Sequence, residues 1–292
     1  MPDQAAGVRH RQWAFGRSAY VTGRSRVSSV AYLAWAAAFI AALSLVTAGQ
    51  TSAIARRAAA KLPVPLVYLR DVDATIAQDI KYATTDNFTG ATVDGYEAGE
   101  CILTRLAAEA LRGVQADLRR ENLSLKVFDC YRPKRAVRAF LRWVERPRDD
   151  GPLTQRFHPR IARDRLVALG YIAALSGHSR ADTVDLTLVS IASTPRVDTF
   201  SYTGCIAPPD RREPDASIDM GTGFDCFDSK SQTVSGAVTP EQRNWRSILL
   251  RAMEGRNFRN YRREWWHFSY RATTGAAYDF PIAKRAAQPL DR

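Results

Sequence analysis

At the centre of the sequence stands Ser176-Gly-His-Ser-Arg-Ala-Asp-Thr-Val-Asp-Leu-Thr-Leu-Val-Ser-Ile191, a polar loop that leads into an alternating segment. The alternation of apolar and polar residues from Val184 onward predicts a β-strand. His178 lies in the loop, and Asp185 follows it at the start of the strand. A loop-borne imidazole and a strand-borne carboxylate can therefore converge on one metal ion.

The segments around this centre show both helical and strand patterns. Apolar residues recur at helical spacing over 103–119, after Tyr131-Arg-Pro133 and over 159–170. Strand patterns cover 123–128 and a last segment, 264–270. The inward side chains predicted for the first two helices are Leu103, Leu106, Ala107, Ala110, Leu111, Val114 and Leu118, then Val137, Phe140, Leu141 and Val144.

A further helix begins with a sequence that is typical of a helix start. Thr239-Pro-Glu-Gln242 has the form of a capping box with proline at the first helical position, and apolar residues then recur until Gly255. No low-complexity linker or internal repeat follows Lys61. Because helices and strands are mixed without a regular βαβ rhythm, we expect a single α+β domain with a central, mostly antiparallel sheet flanked by helices.

Few imidazoles compete for a metal in this sequence. The four histidines are His10, His158, His178 and His267. The segment Glu264-Trp-Trp-His267 adds a carboxylate three residues before an imidazole. Two His and one Asp fill three positions of a tetrahedral zinc and leave the fourth for water, as a catalytic zinc requires. Zinc lowers the pKa of that water from about 15.7 to about 7, and a nearby carboxylate can accept its proton.

Five segments, in order along the chain, carry a resemblance to a known family. They are Tyr82-Ala-Thr-Thr-Asp-Asn-Phe-Thr-Gly90, Asp129-Cys-Tyr-Arg-Pro133, Ser176-Gly-His-Ser-Arg180 with Asp185-Leu-Thr-Leu188, Asp219-Met-Gly-Thr-Gly-Phe-Asp225 and Glu264-Trp-Trp-His-Phe268. They span nearly all of 66–280 and resemble the VanX-type D-alanyl-D-alanine dipeptidases. These are zinc enzymes that share a fold with D-Ala-D-Ala carboxypeptidases and the hedgehog signalling domain.

The resemblance implies a role for each matching residue. The ligands of one Zn²⁺ ion would be His178, Asp185 and His267. Glu264 would be the general base, and Arg132 would stabilise the oxyanion that forms when water attacks the peptide carbonyl. Ser176 and Asp129 match positions that line the family's substrate pocket.

The activity that the resemblance implies is hydrolysis of D-Ala-D-Ala or a close D,D-dipeptide. One alternative is a D,D-carboxypeptidase that acts on peptidoglycan stem peptides. Another is a zinc-stabilised binding module that has lost catalysis. Glu264 and Arg132 argue against the module, because neither residue is needed to hold a structural zinc.

The loop after His178 departs from the family pattern. The usual Gly-Ser-Ala is replaced by Ala181-Asp182-Thr183. Alanine disfavours a backbone with positive φ at the first of these positions. Asp182 is either an alternative metal ligand or a solvated loop acid, and we expect the latter. Metal binding should survive the change, whereas the replacement affects the geometry of the loop and, through it, the rate.

The N-terminal region has the pattern of a targeting segment. Five arginines against one acid precede residue 30, and 30–46 is apolar apart from Ser44. Ala53-Ile54-Ala55 offers the small residues that a signal peptidase reads, although an uncleaved anchor also fits. We therefore expect 1–55 to be a signal peptide or anchor, 56–292 to be the zinc dipeptidase domain, and the protein to be exported to the periplasm or cell envelope.

The charge pattern gives no reason to expect a nucleic-acid partner. The net charge is +12, but the arginines are scattered rather than clustered in a patch with interleaved aromatic residues. We expect membrane contact only through the N-terminal segment, if that segment is not cleaved.

The four cysteines lie beyond the N-terminal segment. An even number of cysteines in an exported chain predicts disulfides, and four allow three pairings. We favour Cys101–Cys130 and Cys205–Cys226, because each pair closes a loop within one half of the domain. Four buried free thiols are the alternative.

Overall fold

The computed structural model describes residues 62–146, 151–192, 204–212, 215–271 and 275–285. The strands are β1 (Leu66–Tyr68), β2 (Ala77–Gln78), β3 (Ile102–Thr104), β4 (Leu123–Asp129), β5 (Thr183–Ser190), β6 (Phe258–Asn260) and β7 (His267–Tyr270). The α-helices are α1 (Leu69–Val72), α2 (Arg105–Arg119), α3 (Lys134–Glu145), α4 (Pro152–Phe157) and α5 (Pro240–Glu254).

The central sheet has five strands in the order β2-β4-β5-β7-β6. The pairing of β2 with β4 is parallel, and the other three pairings are antiparallel. A second sheet joins β1 and β3 in antiparallel fashion. The predicted α+β class and the mostly antiparallel sheet are therefore confirmed.

The two middle strands lie in the interior of the protein. Every residue of β4 is buried, and so are the first six residues of β5. Helix α2 packs against β4 and α5 packs against β6, and the two helices contact each other. The strands therefore alternate between an apolar face and a polar face, and the polar face is buried as well instead of facing solvent.

Helix α2 differs from its predicted face at its first turn. Leu106 was expected to point inward but is 59% exposed, and Leu103 belongs to β3. The helix starts at Arg105, and the Thr104 side chain accepts a hydrogen bond from the amide of Ala107 (3.3 Å). Leu106 lies about 100° around the helix axis from Ala107, on the side away from Ala108, and so falls outside the buried face. The buried residues of α2 are Ala107, Ala108, Leu111, Val114, Gln115 and Leu118.

Two other predicted elements were wrong in extent. The helix expected over 159–170 is a single 3₁₀ turn, Arg163–Arg165, because the chain folds back so that Leu166 is fully buried. The last strand begins at His267 instead of 264, since Glu264 closes a turn by donating its amide to the Tyr261 carbonyl. The capping box of α5 is confirmed, with both reciprocal bonds between Thr239 and Gln242 present.

The N-terminal predictions lie outside the described residues. These are the basic leader, the apolar segment 30–46 and the boundary between 55 and 56. In the described part of the chain, no helix has the length and apolar character needed to cross a membrane.

The structure contains both favoured disulfides, Cys101–Cys130 and Cys205–Cys226. The first ties the end of the loop before β3 to the residue that follows β4, and Cys130 directly follows Asp129. The second holds Cys226, which directly follows Asp225. Each disulfide is therefore adjacent to a buried acid.

Removal of the first disulfide should destabilise the fold measurably. Cys101 and Cys130 are separated by 29 residues, and closing a loop of this length contributes about 3–4 kcal/mol in the chain-entropy description. We expect Cys101→Ser/Cys130→Ser to lower the free energy of unfolding by about that amount in urea titrations under non-reducing conditions. Cys205→Ser/Cys226→Ser is the matched comparison. An unchanged unfolding midpoint would show that the bond adds no stability.

Candidate active site

Three neighbouring strands bring two acids and an imidazole into one row across the sheet. Asp185 of β5 pairs with Asp129 of β4 on one side and with His267 of β7 on the other. Directly opposed residues on adjacent strands point to the same face, with Cβ atoms about 4.5–5.5 Å apart. The strand register therefore positions these three side chains together.

A bulge in β4 makes this row possible. Val127 pairs with Leu186, but the next pair is Asp129 with Asp185, so Phe128 is an extra residue in the strand. One extra residue reverses the face that the following side chains occupy. Without the bulge, Asp129 would share the face of Val127 instead of the face of Asp185.

His178 reaches the row from the 3₁₀ turn Gly177–Arg180. Its Nδ1 atom lies 2.6 Å from the carbonyl oxygen of Cys130. Because a carbonyl oxygen can only accept, Nδ1 carries the proton and Nε2 keeps a free lone pair. Gly177 is required here, since a Cβ atom would lie 2.5 Å from Thr183 Oγ1.

Three ligand atoms converge at this point. His178 Nε2 lies 3.2 Å from Asp185 Oδ2, and His267 Nδ1 lies 2.9 Å from Asp185 Oδ1. The two imidazole nitrogens are 3.4 Å apart. Asp185 Oδ1 is buried, and although His267 Nδ1 lies within reach, this oxygen accepts no well-aligned hydrogen bond from the described residues. A cation among these atoms would satisfy that oxygen, and the residues fit a zinc ligand set.

The surroundings of Asp185 and His267 favour the metal-binding forms of these two side chains. Burial alone would raise the pKa of Asp185, but the imidazoles of His178 and His267 hold it well below its ordinary value. Burial lowers the pKa of His267. An ionised carboxylate and neutral imidazoles are the forms that bind a metal.

Glu264 lies next to the cluster. It is 7% exposed, and its Oε2 atom lies 3.6 Å from His267 Nδ1. Burial raises its pKa well above the ordinary value, and the carboxylates of Asp185 and Asp225 add to the effect. A carboxylate with a raised pKa accepts a proton more readily than a solvated one.

Arg132 is held between acids and aromatic rings. Its guanidinium lies 2.8 Å from Asp129 Oδ2 and 3.4 Å from Asp185 Oδ2. It also lies over the rings of Tyr82 and Phe140, 5.1 and 5.0 Å from their centroids. Although burial opposes the charge, Asp129 and its other neighbours raise the pKa of Arg132 well above its usual value. The guanidinium is thus fixed and charged.

Asp129 lies behind Arg132 and does not reach the pocket. It is fully buried and accepts hydrogen bonds from the hydroxyl of Tyr96 (2.7 Å) and from Nε of Arg132 (2.9 Å). The sequence resemblance suggested a substrate contact for this residue. Its carboxylate contacts Arg132 and does not form part of the cavity wall.

The loop 181–183 differs from expectation in two ways. Ala181 adopts the left-handed conformation (φ 58°), which alanine disfavours. Asp182 is not a solvated loop acid: it is 1% exposed and accepts hydrogen bonds from Arg180 Nε (2.8 Å) and Thr183 Oγ1 (3.0 Å). It is absent from the group of residues that could hold a metal. The loop is drawn inward because Tyr270 donates its amide to the Asp182 carbonyl (2.7 Å).

A cavity of about 240 Å³ opens beside the cluster. Asp185, His267, Glu264, Arg132 and Ser176 all contribute to its wall. The remaining wall residues are Tyr82, Phe88, Phe140, Gly170, Tyr171, Ile172, Ala173, Leu175, Gly177, Asp225, Phe227 and Tyr261. The structure therefore brings all the predicted site residues except Asp129 and His178 to one pocket surface, and His178 lies directly behind it.

Comparison with known proteins agrees with this geometry. The model of the D-ala-D-ala dipeptidase family, peptidase M15, matches residues 63–199 and 193–287. The D-alanyl-D-alanine dipeptidase of Enterococcus faecalis is 37% identical over 203 residues, 69% of this chain and 89% of the relative. The enzyme of the same name from Enterococcus faecium is 33% identical over 76% of this chain and 100% of the relative. That from Streptomyces coelicolor is 36% identical over 74% and 97%.

The chain belongs to the D-Ala-D-Ala dipeptidase family. The family consists of metal-dependent peptidases, so the protein is a metallopeptidase. Among the described residues, His178, Asp185 and His267 form the group that could hold the metal.

Asp225 is a pocket residue that the sequence did not single out. It is 5% exposed, and its Oδ2 atom accepts a hydrogen bond from the hydroxyl of Tyr82 (2.8 Å). Burial and the charge of Asp185 raise its pKa well above the ordinary value. The signal was present, because Asp225 ends one of the segments that resemble the family, but the sequence analysis gave this residue no role.

Proposed function

We propose that this dipeptidase-family protein hydrolyses D-Ala-D-Ala and uses one Zn²⁺ ion held by His178, Asp185 and His267. The observation that carries the proposal is the meeting of this ligand set with Glu264 and Arg132 at one small cavity. Its volume of about 240 Å³ is below the range of about 300–1,000 Å³ that is common for sites of drug-sized ligands. A dipeptide suits this space.

Zinc is the metal that the ligand types favour. Calcium and magnesium prefer oxygen ligands, whereas two imidazoles and one carboxylate form a common zinc set with an open position. When bound, zinc would lower the pKa of a water molecule and polarise the carbonyl of the scissile bond.

Glu264 is the proposed general base. It accepts a proton as water attacks the carbonyl carbon and the new C–O bond forms. It then donates that proton to the nitrogen of the departing D-alanine as the peptide C–N bond breaks. The upward shift of the Glu264 pKa supports this double role, because a group that both accepts and returns a proton works best when its pKa is closer to the ambient pH than that of a solvated carboxylate.

Arg132 is the proposed oxyanion partner. Negative charge develops on the carbonyl oxygen as water attacks, and a fixed cation in a buried site stabilises that charge strongly. The contacts with Asp129, Tyr82 and Phe140 keep the guanidinium in place before substrate arrives. No reorganisation is then needed during the reaction.

Asp225 is the proposed partner of the substrate ammonium group. It lies with Tyr82, Phe88 and Phe227, whose exposed fractions are 1%, 1% and 2%, at the inner end of the cavity. A buried carboxylate without a cation is unfavourable, and a substrate ammonium group would compensate its charge. The free amino terminus of a dipeptide meets this need, whereas an acylated stem peptide does not.

We expect Asp225→Asn to weaken substrate binding. Loss of a charged hydrogen bond of about 1.5–3 kcal/mol corresponds to a rise in KM of about 10–100-fold. The variant should also discriminate less than the parent enzyme between D-Ala-D-Ala and its N-acetyl derivative in steady-state assays. If the rise in KM is equal for both compounds, Asp225 does not bind the ammonium group.

Export is the proposed location. Two disulfides support it, because such bonds persist in oxidising compartments outside the cytoplasm. An exported enzyme would act on dipeptides released from the cell wall, in nutrient recovery or wall remodelling. N-terminal sequencing of protein from the periplasmic or envelope fraction tests this location, and an intact Met1 in the cytoplasmic fraction would contradict it.

The activity is tested with zinc-loaded protein and four substrates. We expect release of D-alanine from D-Ala-D-Ala, with little release from L-Ala-L-Ala, N-acetyl-D-Ala-D-Ala or muropeptides. Cleavage of muropeptides in preference to the free dipeptide would favour a D,D-carboxypeptidase. Stoichiometric zinc without turnover of any D,D-peptide would favour a binding module.

A further inference from the structure

Tyr261 bridges two loops at the outer end of the cavity. Its hydroxyl donates a hydrogen bond to the carbonyl oxygen of Gly170 (2.9 Å), although 91 residues separate them in the chain. Its ring packs edge to face on His267, with centroids 5.6 Å apart. Tyr261 is 38% exposed, so it forms part of the rim of the cavity and not part of the core.

Gly170 permits this close contact. Its φ is +80°, and a Cβ atom there would lie 2.8 Å from the Tyr261 hydroxyl. Backbone bonds from Gly170 to Val167 (3.0 Å) and from Tyr171 to Leu166 (2.9 Å) fix the carbonyl that accepts the bond. The bridge therefore joins two well-anchored backbone segments.

A second cavity lies on the other side of Tyr261. Its volume is about 420 Å³, and it shares only Tyr261 and His267 with the first cavity. The other lining residues are Arg259, Asn260, Arg262, Arg263 and Ser269. The three arginines are exposed, and the side chain of Arg263 interacts with the Tyr261 hydroxyl. We call this space the arginine cleft.

The direction of a bound dipeptide follows from the charges. In the proposed function, the ammonium group lies at the inner end beside Asp225. The C-terminal residue of the substrate then faces the outer end, where Tyr261 and Gly170 close the cavity. A longer side chain on that residue would meet the Tyr261 ring before it could reach the arginine cleft.

We propose that Tyr261 is the residue that limits the C-terminal side chain of the substrate, and that the arginine cleft behind it is a latent subsite for an acidic side chain. This inference rests on the proposed function. It predicts that removal of the Tyr261 ring joins the two cavities and admits D,D-dipeptides such as D-Ala-D-Glu. The cleft should then favour D-Glu over the uncharged D-Gln.

Tyr261→Ala is expected to raise the ratio of kcat/KM for D-Ala-D-Glu over D-Ala-D-Ala by at least about tenfold, since relief of a steric clash in a pocket is worth roughly 10–200-fold. For Tyr261→Ala, kcat/KM for D-Ala-D-Glu should exceed that for D-Ala-D-Gln by only about 2–5-fold, because exposed ion pairs are weak. Arg262→Gln/Arg263→Gln in the Tyr261→Ala background should remove that preference, and added salt should reduce it. Tyr261→Phe, which keeps the ring, should change the ratio much less.

Binding in a slow variant separates this inference from the proposed function. Calorimetry should show that zinc-loaded Glu264→Gln binds D-Ala-D-Ala but not D-Ala-D-Glu. The double variant Glu264→Gln/Tyr261→Ala should bind D-Ala-D-Glu as well. Binding of D-Ala-D-Ala without that gain would overturn the role of Tyr261 and leave the proposed function intact. A Tyr261→Ala enzyme that loses D-Ala-D-Ala turnover without gaining the acidic dipeptide would also overturn it. If neither dipeptide binds Glu264→Gln, the proposed function fails and the inference fails with it.

Discussion

Glu264→Gln should lower kcat by about 10²–10⁴-fold, the range that a positioned general base contributes. Glutamine has nearly the same shape and keeps the packing of a side chain that is 7% exposed, but its amide cannot accept the proton of the attacking water. KM for D-Ala-D-Ala should change little, since the ammonium and carbonyl partners of the substrate remain. Steady-state kinetics of zinc-loaded protein measure both constants.

Zinc content distinguishes a lost base from a lost metal. Glu264 lies beside the ligand cluster but is not one of its members, so Glu264→Gln should retain one zinc ion per chain. Glu254→Gln, at the exposed end of α5, is the matched control and should behave like the parent. A Glu264→Gln enzyme whose kcat stays within about threefold of the parent value would contradict the role of the base. Loss of zinc would instead make Glu264 a ligand.

The sequence was sufficient to propose candidate site residues but not to predict their arrangement. His178, Asp185 and His267 stand in three segments that a search for imidazoles and nearby carboxylates can find. The meeting of Asp185 with His267 depends on the register of β5 and β7, and the place of Asp129 beside Asp185 depends on one extra residue, Phe128, in β4. Nothing in an alternating apolar pattern reveals which residue of a strand is left unpaired. Nor does it reveal that Asp129, which was matched to the pocket, is fully buried against Arg132.

Local patterns failed where tertiary contacts outweighed them. Leu106 was assigned to the apolar face of α2, but it lies about 100° around the helix axis from Ala107, outside the buried face, and is exposed. Asp182 follows an irregular loop and resembles a solvated acid, yet the backbone bond from Tyr270 holds the loop inward and the acid is buried. The capping box of α5 was predicted correctly because it depends only on residues within one turn.

Asp225 and Tyr261 are cavity residues that sequence patterns do not reveal. Each gains its importance from a partner far along the chain: Tyr82 is 143 residues from Asp225, and Gly170 is 91 residues from Tyr261. Neither pair has a spacing that indicates a motif. Both residues define the two ends of the cavity, so the limits on substrate size depend on contacts that only the fold creates.

Asp185→Asn is expected to have the largest effect, because it removes the anionic ligand at the centre of the cluster. The two carboxylate oxygens of Asp185 lie within 3.4 Å of a nitrogen of His178, of His267 and of Arg132. Loss of outer-shell partners of metal ligands typically costs 10–100-fold in metal affinity, so loss of a direct ligand should cost more than about 100-fold. Activity should fall at least in proportion at limiting zinc.

Thermal unfolding with and without zinc provides a measure of this loss that is independent of turnover. A ligand present at 100 times its dissociation constant stabilises the native state by about 2.7 kcal/mol, so the parent protein should melt at a higher temperature when zinc is added. Asp185→Asn should show almost no shift at the same zinc concentration. Asp182→Asn removes a buried acid that the cluster excludes, so it should keep the full zinc-dependent shift even if its metal-free form melts earlier. Equal shifts for the parent and Asp185→Asn would mean that zinc binds elsewhere, and loss of the shift in Asp182→Asn alone would make Asp182 the ligand.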